Sequence, residues 1–313
     1  MQLDSLKPLR GKTALVTGAG GFIGARLCGL LRENGVRVLG TTRSEAQLDC
    51  VDETISLDLA QPAEVRAVFE RNRFDVIFHL AGATSAARSI EQVAPTFLAN
   101  LASTVWLLEA AAKHQCERIV LAGSQEDPQA ASGGRVVPSS PYSASKHAAA
   151  AYGLMFHQTF SVPVVLARIF MVYGPGQRDL RKLIPYVTTS LLRHESPRLT
   201  SGRRAVDWVY VDDVARDLAL AAAVPGLAGK TIDIGTGVLT PVRAVARRLG
   251  EMMNSRVKPI FGELADRADE QEFAADTASR HRLLGDAPVT PLDVGLRHTI
   301  EWYTQTAKTR PSG

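Results

Sequence analysis

From Lys12 onward, short apolar, β-branched runs alternate with stretches whose apolar positions recur at helical spacing. TALVTG predicts a first strand, and 25–34 a helix closed by Gly35. VRVLGTT and TISLDLA predict the next two strands. A helix over Pro62–Arg71 follows, with proline in the first turn, where no N–H is needed. FDVIFHLAG is almost continuously apolar, as expected of a parallel strand covered on both faces. A long helix through 100–113, the strand RIVLAGS, a polar loop over 125–140, a helix over 142–158 and the strand VPVVLARIF complete the series. This alternation predicts an α/β fold with a Rossmann-like, doubly wound parallel sheet. After Tyr173 the pattern breaks at Gly174, Pro175 and Gly176 into helices, short strands and polar turns. The expected division is a nucleotide-binding domain over 1–170, to which 206–236 returns, and a smaller interleaved C-terminal lobe of 171–205 and 237–313. TIDIGTG, at the end of the returning segment, reads as a short strand.

The 313 residues, 45% hydrophobic and 22% charged, supply ample material for a core at a length where one core divides into two. The N-terminus, MQLDSLKPLRGK, has no apolar stretch of secretory type, and no run approaches about 20 apolar residues. Cys28, Cys50 and Cys116 show neither paired nor metal-ligand spacing, which suits a reducing compartment. Cys28 falls within a predicted helix, where a buried, inert thiol is expected. These features predict a cytoplasmic chain with no metal and no membrane contact. The net charge of +4 is dispersed, without an aromatic-basic stripe, so nucleic acid is not the expected partner. An excess of arginine suits phosphorylated small molecules instead.

Two motifs carry chemistry. In TGAGGFIG, Gly18, Gly21 and Gly24 stand at three-residue spacing around Phe22 and Ile23, between a predicted strand and a predicted helix. Glycines there allow a tight turn and close backbone approach to a pyrophosphate, and the helix N-terminus supplies N–H groups and partial positive charge. In PYSASK, Tyr142 and Lys146 share a helix face at i and i+4. A phenol ordinarily ionises near about pH 10, and an adjacent ammonium favours the phenolate. Tyr142 is therefore expected to exchange a proton near neutral pH. At the end of the second strand, Thr42, Arg43 and Ser44 stand where an acid would hold a ribose 2′-hydroxyl. A cation flanked by hydroxyls predicts NADP, with NAD as the alternative and a solvated Arg43 as the plain one. Asp58, beside Leu59, either accepts from an adenine amino group or serves a turn.

These residues resemble an extended short-chain dehydrogenase/reductase of the sugar-nucleotide branch. TGAGGFIG, HLAG at 79–82, Asn100, Ser124, YSASK, VYGPGQ at 172–177 and VDWVYVDDVA at 206–215 stand in that family's order, from about residue 12 to 303. The resemblance implies a nicotinamide dinucleotide in the first lobe, with Leu80, Ala81, Gly82 and Asn100 lining its site. It implies a nucleotide-diphosphate sugar as substrate, and a homodimer through helices 94–112 and 142–158. Tyr142 would be the acid/base, and Lys146 the ligand of the nicotinamide ribose. Ser124 would bind the reacting sugar oxygen, with Thr84 and Gln125 nearby. Met171 stands where the family usually has a substrate-holding Asn, and Val206 where it often has Arg. Arg204, two residues before Val206 on the same strand face, would replace that Arg, and Arg267 would grip the diphosphate.

Reductase, epimerase and dehydratase share this core. The family's dehydratases carry acids just past the Ser/Thr; here Glu126 is present, but Gln125 cannot be an acid. The NADP-like signature and the compact length favour NADPH-dependent reduction of a 4-keto-6-deoxy sugar nucleotide. A 4-epimerase and a 4,6-dehydratase using Glu126 are the alternatives, and a non-catalytic NADP-binding protein is the remote one.

Overall fold

The computed structural model describes residues 4–44, 46–128, 136–266 and 272–309. In chain order the elements begin β1 (Thr13–Thr17), α1 (Phe22–Glu33), β2 (Arg37–Thr42), β3 (Glu53–Ser56), α2 (Pro62–Arg71) and β4 (Val76–His79). A helical stretch follows as α3 (Val93–Thr96), a π-helical segment (Phe97–Ala102) and α4 (Ser103–His114). Then come β5 (Arg118–Ser124), α5 (Pro141–Phe160) and β6 (Val164–Ile169). Beyond them lie β7 (Met171–Tyr173), α6 (Leu183–Leu192), β8 (Arg198–Leu199), β9 (Ala205–Tyr210), α7 (Val211–Ala223) and β10 (Thr231–Ile234). The last are β11 (Leu239–Pro241), α8 (Val242–Met252), β12 (Ile260–Phe261), α9 (Thr277–Leu284) and α10 (Leu292–Thr309).

The chain divides into two compact units. The first comprises Met1–Ile169, Val214–Ile234 and Ala278–Asp286; the second comprises Phe170–Asp213, Gly235–Thr277 and Ala287–Gly313. The first unit holds a seven-stranded sheet of order β10-β6-β5-β4-β1-β2-β3, parallel at every pairing. The strand order reverses between β1 and β4, the switch point at which such sheets bind ligands. Strand residues alternate between the two helical layers. Leu15, Leu39, Ile77, Ile119, Leu121 and Leu166 join Val65 and Phe69 of α2, Leu107 and Leu108 of α4 and Phe156 of α5 in one buried cluster. Their neighbours Ala14, Val16, Val38, Val76, Phe78 and Val165 are buried as well. Burial on both faces explains why these strands read as continuous apolar runs.

By length and composition, with a window of mean hydropathy 1.2, the stretch Ile90–His114 passes as a membrane-crossing helix. Polar residues such as Asn100 and Glu109 interrupt it, so it contains no continuous apolar run of that length. Its inner side chains belong to the core of the first unit, with Leu107 and Leu108 fully buried.

The second unit has a three-stranded sheet, β11-β9-β7, and a small β12–β8 pair. Its core gathers Tyr173, Ile184, Trp208, Tyr210, Leu249 and Leu296. Asp207 organises it: one fully buried carboxylate accepts from Thr236 N–H (2.8 Å) and Oγ1 (2.6 Å), Gly237 N–H (2.8 Å) and Ala275 N–H (3.0 Å).

The division differs from the sequence-based boundaries in two places. β9 pairs with β7 and β11, so residues 206–213 stay with the second unit. α9 returns to the first unit, where Arg280 and Asp217, 4% and 2% exposed, form a two-pronged ion pair at 2.6 and 2.8 Å. TIDIGTG supplies β10, the seventh strand of the large sheet. The helix expected over 100–113 begins earlier, at Val93, and passes through the π-helical segment before α4.

Candidate active site

The turn after β1 is shaped by glycine. Gly18 has φ +70°, a left-handed conformation that disfavours side chains, and a Cβ there would lie 2.9 Å from the Ala81 backbone nitrogen. A Cβ at Gly24 would collide with the Gly18 carbonyl oxygen. Gly21 caps α1 in an extended conformation and, as glycine, offers no side chain to the helix N-terminus. Phe22 and Ile23 follow half-buried. A narrow glycine turn leading to an uncapped twelve-residue helix fits the pyrophosphate of a dinucleotide. Leu80 and Ala81 line the facing turn after β4, and a Cβ on Gly82 would come within 2.7 Å of Asn100 Oδ1.

At the end of β2, Thr42 Oγ1 and Ser44 Oγ lie 3.2 Å apart, and Arg43 is exposed between them. Asp58 forms the turn before α2: its Oδ1 accepts from Ala60 N–H at 3.0 Å and its own N–H donates to Glu64 at 2.9 Å. Leu59 beside it is buried.

The reactive groups converge where β5 ends and α5 begins. Ser140 caps α5 by accepting from Ser143 N–H at 3.1 Å, with Pro141 in the first turn. Ser124 ends β5 and is buried, and its hydroxyl favours the ionised form of the Tyr142 phenol. Ser124 Oγ also accepts from Glu126 N–H at 3.1 Å, and Ser143 Oγ donates to the Glu126 carbonyl at 2.6 Å. The loop bearing Glu126 is thus tied to both elements. Tyr142 and Lys146 are half-buried overall, with their polar ends in closely packed surroundings.

This corrects the expectation of a phenol active near neutral pH through its lysine. Burial and the Glu126 charge outweigh the Ser124 hydroxyl and push Tyr142 up to about 12. Lys146 does not offset this. Its ammonium donates to the Ala122 carbonyl at 2.8 Å, and burial brings it down to about 8.

Beneath these groups runs a chain of hydrogen bonds that motif matching did not assemble. Asn100, in the π-helical segment, accepts from Ala83 N–H (2.7 Å) and donates to Ala83 O (3.2 Å) and Ser145 Oγ (2.9 Å). Ser145 in turn donates to the Tyr142 carbonyl at 2.8 Å. Thr104 gives its hydroxyl proton to the Asn100 carbonyl (2.6 Å), so it meets His79 Nε2 (3.1 Å) as an acceptor and Nε2 carries the ring proton. Nδ1 then accepts from the Thr17 hydroxyl at 2.8 Å, and Thr17 Oγ1 receives the N–H groups of Leu80 and Ala81 at 3.2 Å each. Burial, and then the Lys146 charge, bring His79 down to about 3, so it is neutral throughout the physiological range. The sequence carried one signal of this: a histidine closing an otherwise apolar strand.

Of the candidate substrate residues, Gln125 is half-buried, donating its N–H to Ile169 O at 2.9 Å, and Thr84 is exposed. Both belong to the first unit. Met171 and Arg204 belong to the second. Met171 packs against its apolar cluster, to which Val206 also belongs, and Arg204 stands half-buried just before β9 with Arg203 exposed beside it. Arg267 lies outside the described residues.

The profile of the NAD dependent epimerase/dehydratase family matches residues 14–235. The chain belongs to that family. It is accordingly an enzyme of the extended short-chain dehydrogenase/reductase type. It is 30% identical to a dTDP-glucose 4,6-dehydratase of an Actinoplanes species, over 92% of this chain and 97% of that one. Among solved structures it resembles UDP-glucose 4-epimerase of Thermotoga maritima with UDP-glucose (TM-score 0.86, 25% identity, 94% of this chain and 99% of that one). It also resembles MoeE5 in complex with UDP-glucuronic acid and NAD (TM-score 0.84, 30% identity, the same coverage). The expected class of cofactor agrees with the family. Net reduction of a 4-keto sugar, the reaction favoured from sequence, has no support among these relatives, which include both of the alternatives to it.

The buried histidine makes the family fold acid-sensitive in a defined window. Its folded pKa, about 3, lies below the ordinary 6.5, so the unfolded chain takes the proton first. This contribution to stability is complete above about pH 6.5 and falls as the pH drops toward 3, by up to about 1.4 kcal/mol per pH unit. Denaturant titrations across that range should show this slope flattened in His79→Gln relative to the parent chain.

Proposed function

We propose that the enzyme oxidises C4 of a nucleotide-diphosphate hexose and then removes water across C5 and C6, as a 4,6-dehydratase. The observation that supports this reading is the position of Glu126, two residues past Ser124 in a loop held by hydrogen bonds to Ser124 Oγ (3.1 Å) and from Ser143 Oγ (2.6 Å) at the start of the helix that carries Tyr142. Gly18, Gly21 and Gly24 with the α1 N-terminus, Leu80, Ala81 and Lys146 would hold the dinucleotide, whose nicotinamide supplies a hydride acceptor and donor. Tyr142 in its phenolate form, the minor state at neutral pH because its pKa is raised, would take the proton of the C4 hydroxyl while Ser124 donates to the C4 oxygen. Glu126 then takes the proton from C5 of the 4-keto sugar, made acidic by the neighbouring carbonyl, and gives it to the C6 hydroxyl, which leaves as water. Return of the hydride to C6 and of a proton to C5 would complete the 4-keto-6-deoxy product. Thr84 and Gln125, with Met171, Arg204 and Arg267, are the proposed contacts to sugar and diphosphate.

A 4-epimerase is the second reading. Gln125 favours it, because an amide has no proton to give to a leaving hydroxyl. Two variants separate the readings. Tyr142→Phe is expected to lower turnover of any sugar nucleotide by roughly a hundredfold or more. Glu126→Gln should abolish formation of the 4-keto-6-deoxy product while still allowing C4 oxidation. By removing the charge that raises Tyr142, it should also move the pH profile of that oxidation to lower pH. Undiminished dehydration by Glu126→Gln, or C4 inversion without loss of water by the parent enzyme, overturns the dehydratase reading.

The cofactor is read as NADP, held by Arg43 between the hydroxyls of Thr42 and Ser44, with NAD the alternative that the family and the NAD-bound structure favour. Arg43→Leu should weaken NADP roughly tenfold, as expected when a charge-assisted phosphate contact is lost, and leave NAD unchanged. Equal binding of both cofactors by parent and variant rejects the NADP assignment.

The homodimer reading is supported by an apolar face on the first unit. Ile90, Phe97 and Phe160 are 79%, 51% and 57% exposed. A groove of about 650 Å³ between the α3 region and α5 is lined by Ile90, Val93, Phe97, Leu101, Pro141 and Ala148. Exposed patches of this kind mark association surfaces. Sedimentation of the parent chain should give a dimer, and Phe97→Glu a monomer; a monomeric parent at micromolar concentration refutes it.

A further inference from the structure

Tyr142 and Lys146 are one of two i,i+4 pairs at the start of α5. Ser143 and His147, each one residue further along, form the other, turned by about 100° around the helix axis. This second pair holds two consecutive residues of the turn after β5. Ser143 Oγ donates to the Glu126 carbonyl at 2.6 Å, and His147 Nδ1 meets Asp127 Oδ1 at 2.7 Å. An ionised carboxylate only accepts, so Nδ1 carries the proton in this bond. His147 stands one residue past YSASK and Asp127 one past Glu126, so motif matching reaches neither.

The same turn is fixed along its main chain from the β5 side. Gln125 N–H donates to Ile169 O (2.9 Å), Glu126 N–H to Ser124 Oγ (3.1 Å) and Asp127 N–H to Ser124 O (3.0 Å). Glu126 is therefore held at both its N–H and its carbonyl. The residue after it is anchored by its side chain to a helix 20 positions further along the chain. With the backbone fixed on both sides, the direction of the Glu126 Cα–Cβ bond is set.

We propose that Asp127 and His147 are a positioning pair, which keeps the turn carrying Glu126 in register with Tyr142 and Lys146 and so aligns its carboxylate for C5 of the sugar. The inference rests on the dehydratase reading of Glu126. Adjacent carboxylates repel each other, and the bond to His147 commits an Asp127 oxygen to α5. Hydrogen bonds to carboxylates are among the stronger kinds, which suits a bond that must hold a turn in place. Placement matters because a displacement of about 1 Å at a reacting group can cost a hundredfold in rate. The pair acts on water loss and leaves the oxidation of C4 to Ser124 and Tyr142.

The His147 and Asp127 side chains are 43% and 20% exposed, so substitution there leaves the core intact. His147→Ala removes the bond, whereas His147→Asn keeps a side-chain N–H as far from the backbone as Nδ1. Both are assayed beside the parent and Glu126→Gln, with dTDP-glucose and NAD or NADP as probes. His147→Ala is expected to lower kcat for the 4-keto-6-deoxy product roughly tenfold with KM unchanged, the scale of one lost hydrogen bond to a charged group. Reduced nicotinamide should accumulate during its turnover, because C4 is still oxidised while water leaves slowly. Asp127→Ala should match it, the double variant should add nothing further, and His147→Asn should restore the parent rate.

Hydrogen–deuterium exchange without substrate reads the positioning separately. Peptides covering Gln125–Asp127 should exchange about tenfold faster in His147→Ala and at the parent rate in His147→Asn, with β1 and β4 unchanged in both.

Parent-like exchange at Gln125–Asp127 in His147→Ala, or faster exchange throughout the first unit, overturns the positioning pair. So does an unchanged kcat in His147→Ala where Glu126→Gln abolishes the product. Dehydration that survives Glu126→Gln instead overturns the dehydratase reading, and the exchange rates alone then decide whether the pair holds the turn.

Discussion

The helix that carries Tyr142 and Lys146 is tied to a neutral imidazole. His79 closes β4, and through Thr17 and Thr104 it joins the glycine turn, the β4 turn and the π-helical segment into one hydrogen-bonded chain that ends at Ser145 and the Tyr142 carbonyl. Every link has its proton direction fixed by its neighbour, so a second proton on the ring leaves one link with two donors facing each other. A buried polar chain of this kind is favourable only when complete. Removing water from around His79 is what keeps the ring neutral, and the same packing brings Lys146 near enough to add to the effect. The fold thus sets the protonation state of His79, and the hydrogen-bonded chain that depends on that state reaches the helix carrying Tyr142 and Lys146.

The π-helical segment is part of the same constraint. Widening one turn within an otherwise α-helical stretch turns Asn100 inward, where it bonds both backbone groups of Ala83 and the Ser145 hydroxyl. Such bulges concentrate at functional sites because they re-aim a single side chain without breaking the helix. Asn100 is 2% exposed and its side-chain amide is engaged on both ends, which accounts for a polar residue in the middle of a long apolar helix.

Much of the first unit was legible because local and global preferences agree. β1, β2, β4, β5 and β6 announced themselves as apolar runs, and the glycine spacing located the turn at the switch point. Four things were not legible. The partition of β9 depends on pairing with β7 and β11, and nothing in VDWVY distinguishes a strand of the large sheet from one of the small. The return of α9 depends on a buried Arg280–Asp217 pair separated by 63 residues. The acid strength of Tyr142 followed from desolvation, which i,i+4 spacing does not encode: the helix does bring Lys146 to the same face, but its ammonium is spent on the Ala122 carbonyl. The joint role of His79, Thr17 and Thr104 was hidden for a similar reason, since it comes from their meeting across three elements, and only the histidine at the end of an apolar strand hinted at it.

The order in which the large sheet is completed bears on how the chain is made. β6 ends at Ile169, but the strand that covers its outer edge, β10, spans Thr231–Ile234, and α9 docks only once Thr277–Leu284 exists. During synthesis the β6 edge therefore stays open while some sixty further residues emerge, a template for pairing with another nascent chain. Vectorial folding must leave this unit unfinished until its final helix has left the ribosome, so truncated products are expected to depend on chaperones for their solubility.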